Sequence, residues 1–158
     1  MKRLNAGNGR IDDMDVAILT ALATNARVAT SDLARSVGLS SPSTAERVKR
    51  LEDAGVIRGY HANIDPAAIG LPLAVIIRVR PMPGQLQKLA TLLNKLAAVV
   101  ECHRVSGDDC FVATAHVASV AEMEALIDKI VPFGATNTSI VQSSPVARRM
   151  PPITSKVR

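Results

Sequence analysis

Hydroxyl and charged side chains are concentrated between residues 41 and 50, in the run SPSTAERVKR. At about 100° per residue, Ser43, Glu46, Arg47 and Arg50 fall on the side of a helix opposite its apolar positions. Small hydroxyl residues permit close approach to base edges, while arginine and lysine bind guanine or phosphate. This pattern indicates a helix that lies in the major groove of double-stranded DNA. The residues assigned to the contact are Ser41, Ser43, Thr44, Glu46, Arg47, Lys49, Arg50 and Arg58.

A solvated helix with internal ion pairs, such as Glu46 with Arg50 four residues later, is the alternative interpretation of the same run. The preceding short helix and the turn at Gly38 favour the DNA contact, because a helix, a tight turn and a second helix with polar tips form a helix-turn-helix. We assign Arg47 to a base or phosphate and Lys49 or Arg50 to the DNA backbone.

The chain offers no recognisable catalytic or metal-binding pattern. His61, His103 and His116 are scattered, and none stands at zinc-ligand spacing from another histidine or cysteine. Cys102 and Cys110 are too far apart for a CxxC pair. Ser-His-Asp order, a glycine-rich phosphate loop and HExxH are all missing from the sequence. We therefore expect neither an enzyme nor a bound cofactor or metal.

Composition narrows the choice of partner. Aromatic residues make up only 2 % of 158 residues, too few for surfaces that stack single-stranded bases. The formal net charge of +5 suits an acidic partner such as DNA, RNA or an anionic membrane. Neither a signal peptide nor an apolar run of membrane length is visible, so we expect a cytoplasmic, nucleoid-associated protein without a membrane partner.

Three helices are predicted up to about residue 54, because apolar residues recur at three- and four-residue steps. Acidic residues stand at the start of the first helix, at Asp12, Asp13 and Asp15. The second helix ends at Gly38, and Ser41 is predicted to cap the third, with Pro42 at its first position. The inward face of the third helix is assigned to Ala45, Val48, Leu51 and Ala54. Residues 56–64 are rich in β-formers and suggest a wing.

Beyond residue 72 the pattern changes to alternating strands and helices in the order β-α-β-β-α-β. This order predicts a ferredoxin-like sheet with two helices on one face, whose other face needs cover by a partner subunit. The predicted fold is therefore α+β, with a winged helix-turn-helix followed by the βαββαβ domain. The predicted limits are 10–64 for the first domain, 65–71 for a linker, 72–145 for the second domain and 146–158 for a tail.

The combination resembles the Lrp/AsnC family of transcriptional regulators. Its most specific pieces are IDDMD at 11–15, LARSVGLS at 33–40 and RVKRLEDAGVIRGY at 47–60, and the resemblance covers nearly the whole chain. It implies a DNA-binding head and a ligand-sensing domain, called RAM, that forms homodimers and often octamers of four dimers. It also implies a small-molecule effector, usually an amino acid.

The resemblance extends to the effector loop. The family has Gly-Asp-x-Asp before an aromatic residue, and VSGDDCF at 105–111 is similar, with Cys110 where the second aspartate often stands. From turn chemistry alone, Gly-Asp-Asp is an ordinary hairpin loop. The last strand matches the family's threonine-rich strand, whose side chains can reach an effector from another subunit. The implied effector residues are Ser106, Gly107, Asp108, Asp109, Cys110, Thr136, Thr138 and Ser139.

Two rival functions stay open at this point. A sirohaem decarboxylase is similar in architecture and would use histidine and arginine around a tetrapyrrole, for which His61, His103 and Arg104 are available. An architectural DNA organiser would bind with little sequence preference, with a specific to non-specific affinity ratio well below about 10³.

Overall fold

The computed structural model describes residues 11–154, which contain five α-helices and four β-strands. In chain order they are α1 (Asp13–Thr24), α2 (Thr30–Val37), α3 (Ser41–Asp53), β1 (Leu73–Pro81), α4 (Leu86–Lys95), β2 (Val99–Arg104), β3 (Phe111–Val117), α5 (Val120–Ile130) and β4 (Gly134–Ile140). The segments Ala67–Ile69 and Val131–Phe133 form single 3-10 turns. Residue 10, proposed as the start of the first domain, and residues 155–158 of the proposed tail lie outside this description.

The chain forms two compact units. One contains α1 to α3 together with the segment that begins at Arg148, and the other spans Asn63–Ala147. Within the helical unit, Arg148, Met150 and Ile153 line a cavity of about 580 Å³ with Leu19 and Leu22 of α1. The sequence did not indicate that the segment after β4 contributes to the helical unit. Among the described residues, no helix is long and apolar enough to cross a membrane.

Local capping sets the ends of the first two helices as predicted. The Asp12 carboxylate accepts a hydrogen bond from the Asp15 amide at 2.8 Å, and the Asp15 carboxylate accepts one from the Asp12 amide at 3.1 Å. This reciprocal capping box begins α1. Gly38 ends α2 in the left-handed conformation, with φ of 73°. The chain therefore reverses direction sharply before α3.

The start of α3 differs from the prediction by one residue. Ser40, rather than Ser41, caps the helix, because its hydroxyl accepts a hydrogen bond from the Ser43 amide at 3.3 Å. Pro42 lies in the first turn, where its missing amide hydrogen costs nothing.

The buried face of α3 also differs from the prediction. Thr44 and Leu51 are buried and Val48 is partly buried, whereas Ala45 and Ala54 are exposed. Steps of four and three residues place Thr44, Val48 and Leu51 on one helical stripe, and Ala45 lies about 100° away from Thr44. The core of this unit is formed by Ile18, Leu33 and Leu51, one from each helix.

The predicted wing is not a β-structure. Residues 56–64 follow α3 without forming any strand, and pair with no other described strand. The segment is held by other contacts: the Val56 and Ile57 amides donate to the Leu51 carbonyl at 2.9 and 3.1 Å, and the Tyr60 hydroxyl donates to Glu52 at 2.8 Å. Its β-forming residues have no partner strand here, and β-propensity depends on such a partner.

The second unit is the predicted ferredoxin-like sheet. Its four strands are antiparallel in the order β2-β3-β1-β4, so the β2-β3 hairpin pairs β3 with β1 at the centre of the sheet. One face packs against α4 and α5 in a core that includes Ile77, Val79, Leu89, Phe111 and Ile130. The other face carries the alternate residues of each strand and has no helix over it among the described residues.

Candidate nucleic-acid interface and ligand loop

The outer side of α3 is a polar surface on which most of the predicted DNA-contacting residues meet. Ser43, Glu46, Arg47, Lys49, Arg50 and Asp53 line a shallow cavity of about 560 Å³. Ser41 is exposed at the start of the same helix. The helix presents this side because its opposite stripe, with Leu51 and Thr44, is buried against the other helices. We name these seven residues the α3 surface.

Thr44 does not belong to the α3 surface, and the prediction that it contacts DNA is wrong. Its side chain is fully buried, and its hydroxyl donates a hydrogen bond to the Ser40 carbonyl at 3.0 Å. A side chain without exposed area cannot contact a groove. Its role is to stabilise the first turn of α3, where a threonine hydroxyl can bond to the carbonyl four residues earlier.

The two arginines of the α3 surface are bound to carboxylates at the start of α1. The Arg47 Nη1 atom donates to Asp12 at 2.7 Å and to Asp15 at 3.0 Å. The Arg50 Nη2 atom donates to both oxygens of Asp15 at 2.7 Å. Asp15 is only 1 % exposed. The hydrogen bond from Arg47 is the main reason that the pKa of Asp12 is lowered and that of Arg47 is raised.

The remaining predicted cations differ in their surroundings. Lys49 donates to Asp53 at 2.8 Å, four residues later, and this hydrogen bond raises the pKa of Lys49. The ion pair between Glu46 and Arg50, the example given for the alternative interpretation of a solvated helix, does not form; Arg50 bonds to Asp15 instead. Arg58 is exposed and has no carboxylate partner among the described residues.

The predicted effector loop connects β2 to β3. The Val105 amide donates to the Cys110 carbonyl at 2.9 Å and closes the loop, in which Gly107 has φ of 110°. Positive φ of this size favours glycine, so Gly107 fits the turn that the sequence predicted. Cys110 is half-buried, while Asp108 is exposed and Asp109 partly so.

Two arginines of β1 bind this loop, although neither was among the predicted effector residues. The Arg80 Nε atom donates to the Asp108 carbonyl at 3.1 Å, and Arg80 Nη2 lies 3.5 Å from the Asp108 carboxylate. Arg78 donates to the Asn137 side chain at 2.7 Å and lies 3.9 Å from Asp109. Charged residues at alternate positions of an otherwise apolar strand are the signal that could have indicated this.

The three predicted residues of β4 do not share one surface. Thr136 and Thr138 pair with Val79 and Ile77, which face the helices, whereas Ser139 pairs with Ile76 on the open face. Alternation along a strand therefore separates Ser139 from the two threonines. Thr136 lines a cavity of about 370 Å³ with Arg78, Arg80, Asp109, Ala135 and Asn137. The Thr138 hydroxyl is buried without a hydrogen-bond partner among the described residues.

The residues available to a tetrapyrrole enzyme are divided between the two units. His103 and Arg104 are neighbours on β2 and so point to opposite faces of the sheet, and His103 lies 3.1 Å from Glu101. His61 belongs to the helical unit. Within residues 11–154, no group of three or more histidine, cysteine, aspartate or glutamate side chains could hold a metal ion.

Comparison with known protein families matches both units. Residues 11–52 match the AsnC-type helix-turn-helix domain, and residues 74–151 match the Lrp/AsnC ligand binding domain. A helix-turn-helix domain joined to a ligand binding domain defines a class of transcriptional regulators. The chain belongs to the Lrp/AsnC family, as the sequence motifs implied.

Individual relatives agree with this assignment. The chain is 38 % identical over 123 residues to the leucine-responsive regulatory protein of Haemophilus influenzae, covering 76 % of this chain and 74 % of that protein. The structure of LrpC from Bacillus subtilis has a TM-score of 0.85 at 26 % identity, over 89 % of this chain and all of LrpC. A feast or famine regulatory protein from M. tuberculosis, complexed with L-methionine, has a TM-score of 0.83 at 31 % identity, over 89 % of this chain and 97 % of that one.

Proposed function

We propose that this regulator binds double-stranded promoter DNA through the α3 surface and that an amino-acid effector at the loop of residues 106–110 modulates the binding. The proposal that the α3 surface binds DNA rests on the arrangement of the helical unit. The turn at Gly38 leaves α3 with one side buried and the α3 surface exposed, and this surface carries hydroxyls, a carboxylate and cations. Such a helix can place hydrogen-bonding groups against base edges in the major groove.

Affinity and salt dependence test this interface. Genome-wide capture supplies the bound fragments, and the most enriched one is titrated at several salt concentrations against a shuffled fragment of equal length. Lys49→Ala removes a cation whose only described partner, Asp53, is itself exposed, so it perturbs no buried group. Loss of one phosphate contact should flatten the slope of log binding constant against log salt concentration by about 1. Lys129→Ala, at an exposed lysine of α5 in the other unit, is the matched control.

Ser43→Ala tests base or phosphate contact at the helix start. We expect weaker binding to the enriched fragment and an unchanged fold. The Ser43 backbone amide, which donates to the Ser40 hydroxyl, is retained in the variant, and the Ser43 hydroxyl makes no intramolecular hydrogen bond among the described residues. Equal affinity of the wild type for enriched and shuffled fragments would favour the architectural alternative. Unchanged binding by both α3 variants would remove this helix from the interface.

A homodimer is the proposed smallest assembly, with octamers of four dimers as the larger form. The open face of the sheet includes Ile76, which is 39 % exposed, and a second copy can cover it by two-fold symmetry. Two copies present two α3 surfaces, as pseudo-palindromic DNA sites require. Sedimentation of Ile76→Lys should show dissociation, while Val120→Lys, at an exposed apolar residue of α5, should not. A wild type that sediments as a monomer would contradict the dimer.

The effector half of the proposal rests on the loop and the arginines that hold it. Backbone amides near Gly107 can bind a carboxylate, and Asp108 or Asp109 can bind an ammonium group. The complexed state of the M. tuberculosis relative makes L-methionine the first ligand to test. Calorimetric titration with L-methionine and L-leucine should give binding that Asp109→Asn weakens and Asp128→Asn, on α5, leaves unchanged. Absence of heat and of any change in assembly would contradict sensing of these two amino acids.

The relatives' names support regulation rather than catalysis, and a test against the tetrapyrrole enzyme is simple. Addition of a sirohaem-type tetrapyrrole should produce no protein-dependent visible band. We further propose that the functional domains extend over 10–64 and 72–145, and that the protein acts on the nucleoid in the cytoplasm.

A further inference from the structure

Two helices of the helical unit, α1 and α3, meet in a cluster of two arginines and two carboxylates. Arg47 and Arg50 lie one helical turn apart on α3, and Asp12 and Asp15 lie one turn apart at the start of α1. The four nitrogen to oxygen distances are between 2.7 and 3.0 Å. Formal charges in the cluster cancel. We name these four residues the arginine clamp.

Asp15 is the centre of the clamp, and its hydrogen-bonding capacity is fully used. One oxygen accepts from Arg47 and Arg50, and the other accepts from Arg50 and from the Asp12 amide. A carboxylate has about four acceptor positions, so none is left for water. The Asp15 side chain is 1 % exposed, and Asp12 remains 47 % exposed. A buried charge of this kind is retained only with such complete pairing.

Each arginine keeps donors for another partner. Arg47 uses only Nη1 and Arg50 only Nη2 in the clamp, and a guanidinium has five N–H donors. Their side chains are 28 % and 49 % exposed, and both line the cavity of the α3 surface. The clamp therefore holds two guanidinium groups in fixed orientations on the side of α3 that we propose contacts DNA.

We propose that Asp15 is a positioning residue for DNA recognition, which presents Arg47 and Arg50 as oriented hydrogen-bond donors to base edges rather than as free cations. This inference rests on the proposed function of α3. Guanidinium planes in fixed orientations suit base edges that carry two acceptors, such as the major-groove edge of guanine. The rotamers of the two arginines are also restricted before DNA binds, which lowers the entropy lost on binding. Because Asp12 and Asp15 compensate the charge of the two arginines, Arg47 and Arg50 add little to the counterion release that drives non-specific DNA binding. The clamp thus favours specific over non-specific DNA.

Asp15→Asn is the direct test, measured on the full chain with the enriched fragment and its shuffled counterpart. The variant keeps the shape of the side chain and removes its charge, so Arg50 loses its carboxylate partner and Arg47 keeps only Asp12. We expect weaker binding to the enriched fragment, stronger binding to the shuffled one, and a salt slope on the shuffled fragment steeper by about 1. The ratio of the two affinities should fall by about tenfold or more.

Asp13→Asn is the matched control. It removes the same charge from the same helical turn, but Asp13 is exposed and forms no ion pair with a described residue. Long-range electrostatics alone would change binding equally in the two variants, and equal changes would overturn the proposal. An equal loss of affinity for both fragments with an unchanged slope would also overturn it, since that result indicates a structural role only.

Two further variants keep the test informative if Asp15→Asn does not fold. Asp12→Asn retains a capping side chain and removes only the exposed partner of Arg47, so the affinity ratio should fall less but in the same direction. Arg50→Lys keeps the charge and loses the planar fork, so the ratio should fall with little change in slope. An unchanged ratio in both would overturn the inference. A wild type without preference for the enriched fragment would instead contradict the proposed function itself.

Discussion

Gly134 lies against the backbone of Arg80 where β4 begins beside the end of β1. A β-carbon at residue 134 would be 2.8 Å from the Pro81 Cα atom and nearer still to the Arg80 carbonyl oxygen. This contact sets how closely β4 approaches β1, and the same pairing places Asn137 opposite Arg78. A glycine therefore determines the position of a strand that borders the proposed effector site.

Gly134→Ala should destabilise the sheet unit, because neither backbone atom can move away without disturbing the β1-β4 pairing. We expect the free energy of unfolding to fall by about 1–3 kcal/mol, as for other overpacked sites. Urea unfolding followed by circular dichroism measures this change. Ala135→Ser, at the next and exposed position of β4, is the control and should unfold as the wild type does. Identical midpoints for the two variants would show that the strand tolerates a β-carbon.

Acid should weaken the helical unit through Asp12. Its pKa in the folded protein is lowered, chiefly by the hydrogen bond from Arg47. A lowered pKa stabilises the fold above the unfolded value of about 4, and this contribution disappears as the pH falls through the folded value. Wild type should therefore melt at a higher temperature than Asp12→Asn at pH 7, and the difference should shrink towards pH 2. Asn still caps a helix, so a constant difference would point away from the ion pair.

Tyr60 provides a direct optical measurement, because it is the only tyrosine and the chain has no tryptophan. Burial and the hydrogen bond to Glu52 raise the pKa of Tyr60 to about 12. The residue is still 46 % exposed, so we attribute much of the change to Glu52. Absorbance at the phenolate band should titrate near that value in the wild type and closer to 10 in Glu52→Gln. Titration of both proteins at the ordinary value would show that residues 56–64 do not hold this contact.

Thr44 and Ser43 are neighbours that should respond differently to substitution. Thr44→Val removes the buried hydroxyl that donates to the Ser40 carbonyl but leaves the α3 surface intact. We expect the free energy of unfolding to fall by only about 1 kcal/mol, because the Thr44 amide still donates to the same carbonyl at 2.9 Å. DNA affinity should be unchanged, since Thr44 is buried. Ser43→Ala should show the reverse behaviour. A binding defect in Thr44→Val at full stability would contradict the buried placement.

Local chemistry explains why much of the fold was predictable. The capping box at Asp12, the left-handed Gly38 and the alternation along β1 act within a few residues. Sequence spacing alone therefore indicated the helices, the turn and the order of strands and helices along the chain. The family motifs are likewise contiguous runs. For the same reason, the loop at Gly107 was located correctly as the β2-β3 connection.

Long-range contacts decided the rest. The sequence indicated Asp15 as a helix-start residue and Arg50 as a DNA ligand, but only packing of α1 against α3 joins them across 35 positions and buries the carboxylate. Packing also buried Thr44 in place of Ala45 and left residues 56–64 without a partner strand. Sheet register turned Arg78 and Arg80 towards the loop. Periodicity identifies which side chains share a face; which partner that face meets depends on residues far away in the chain.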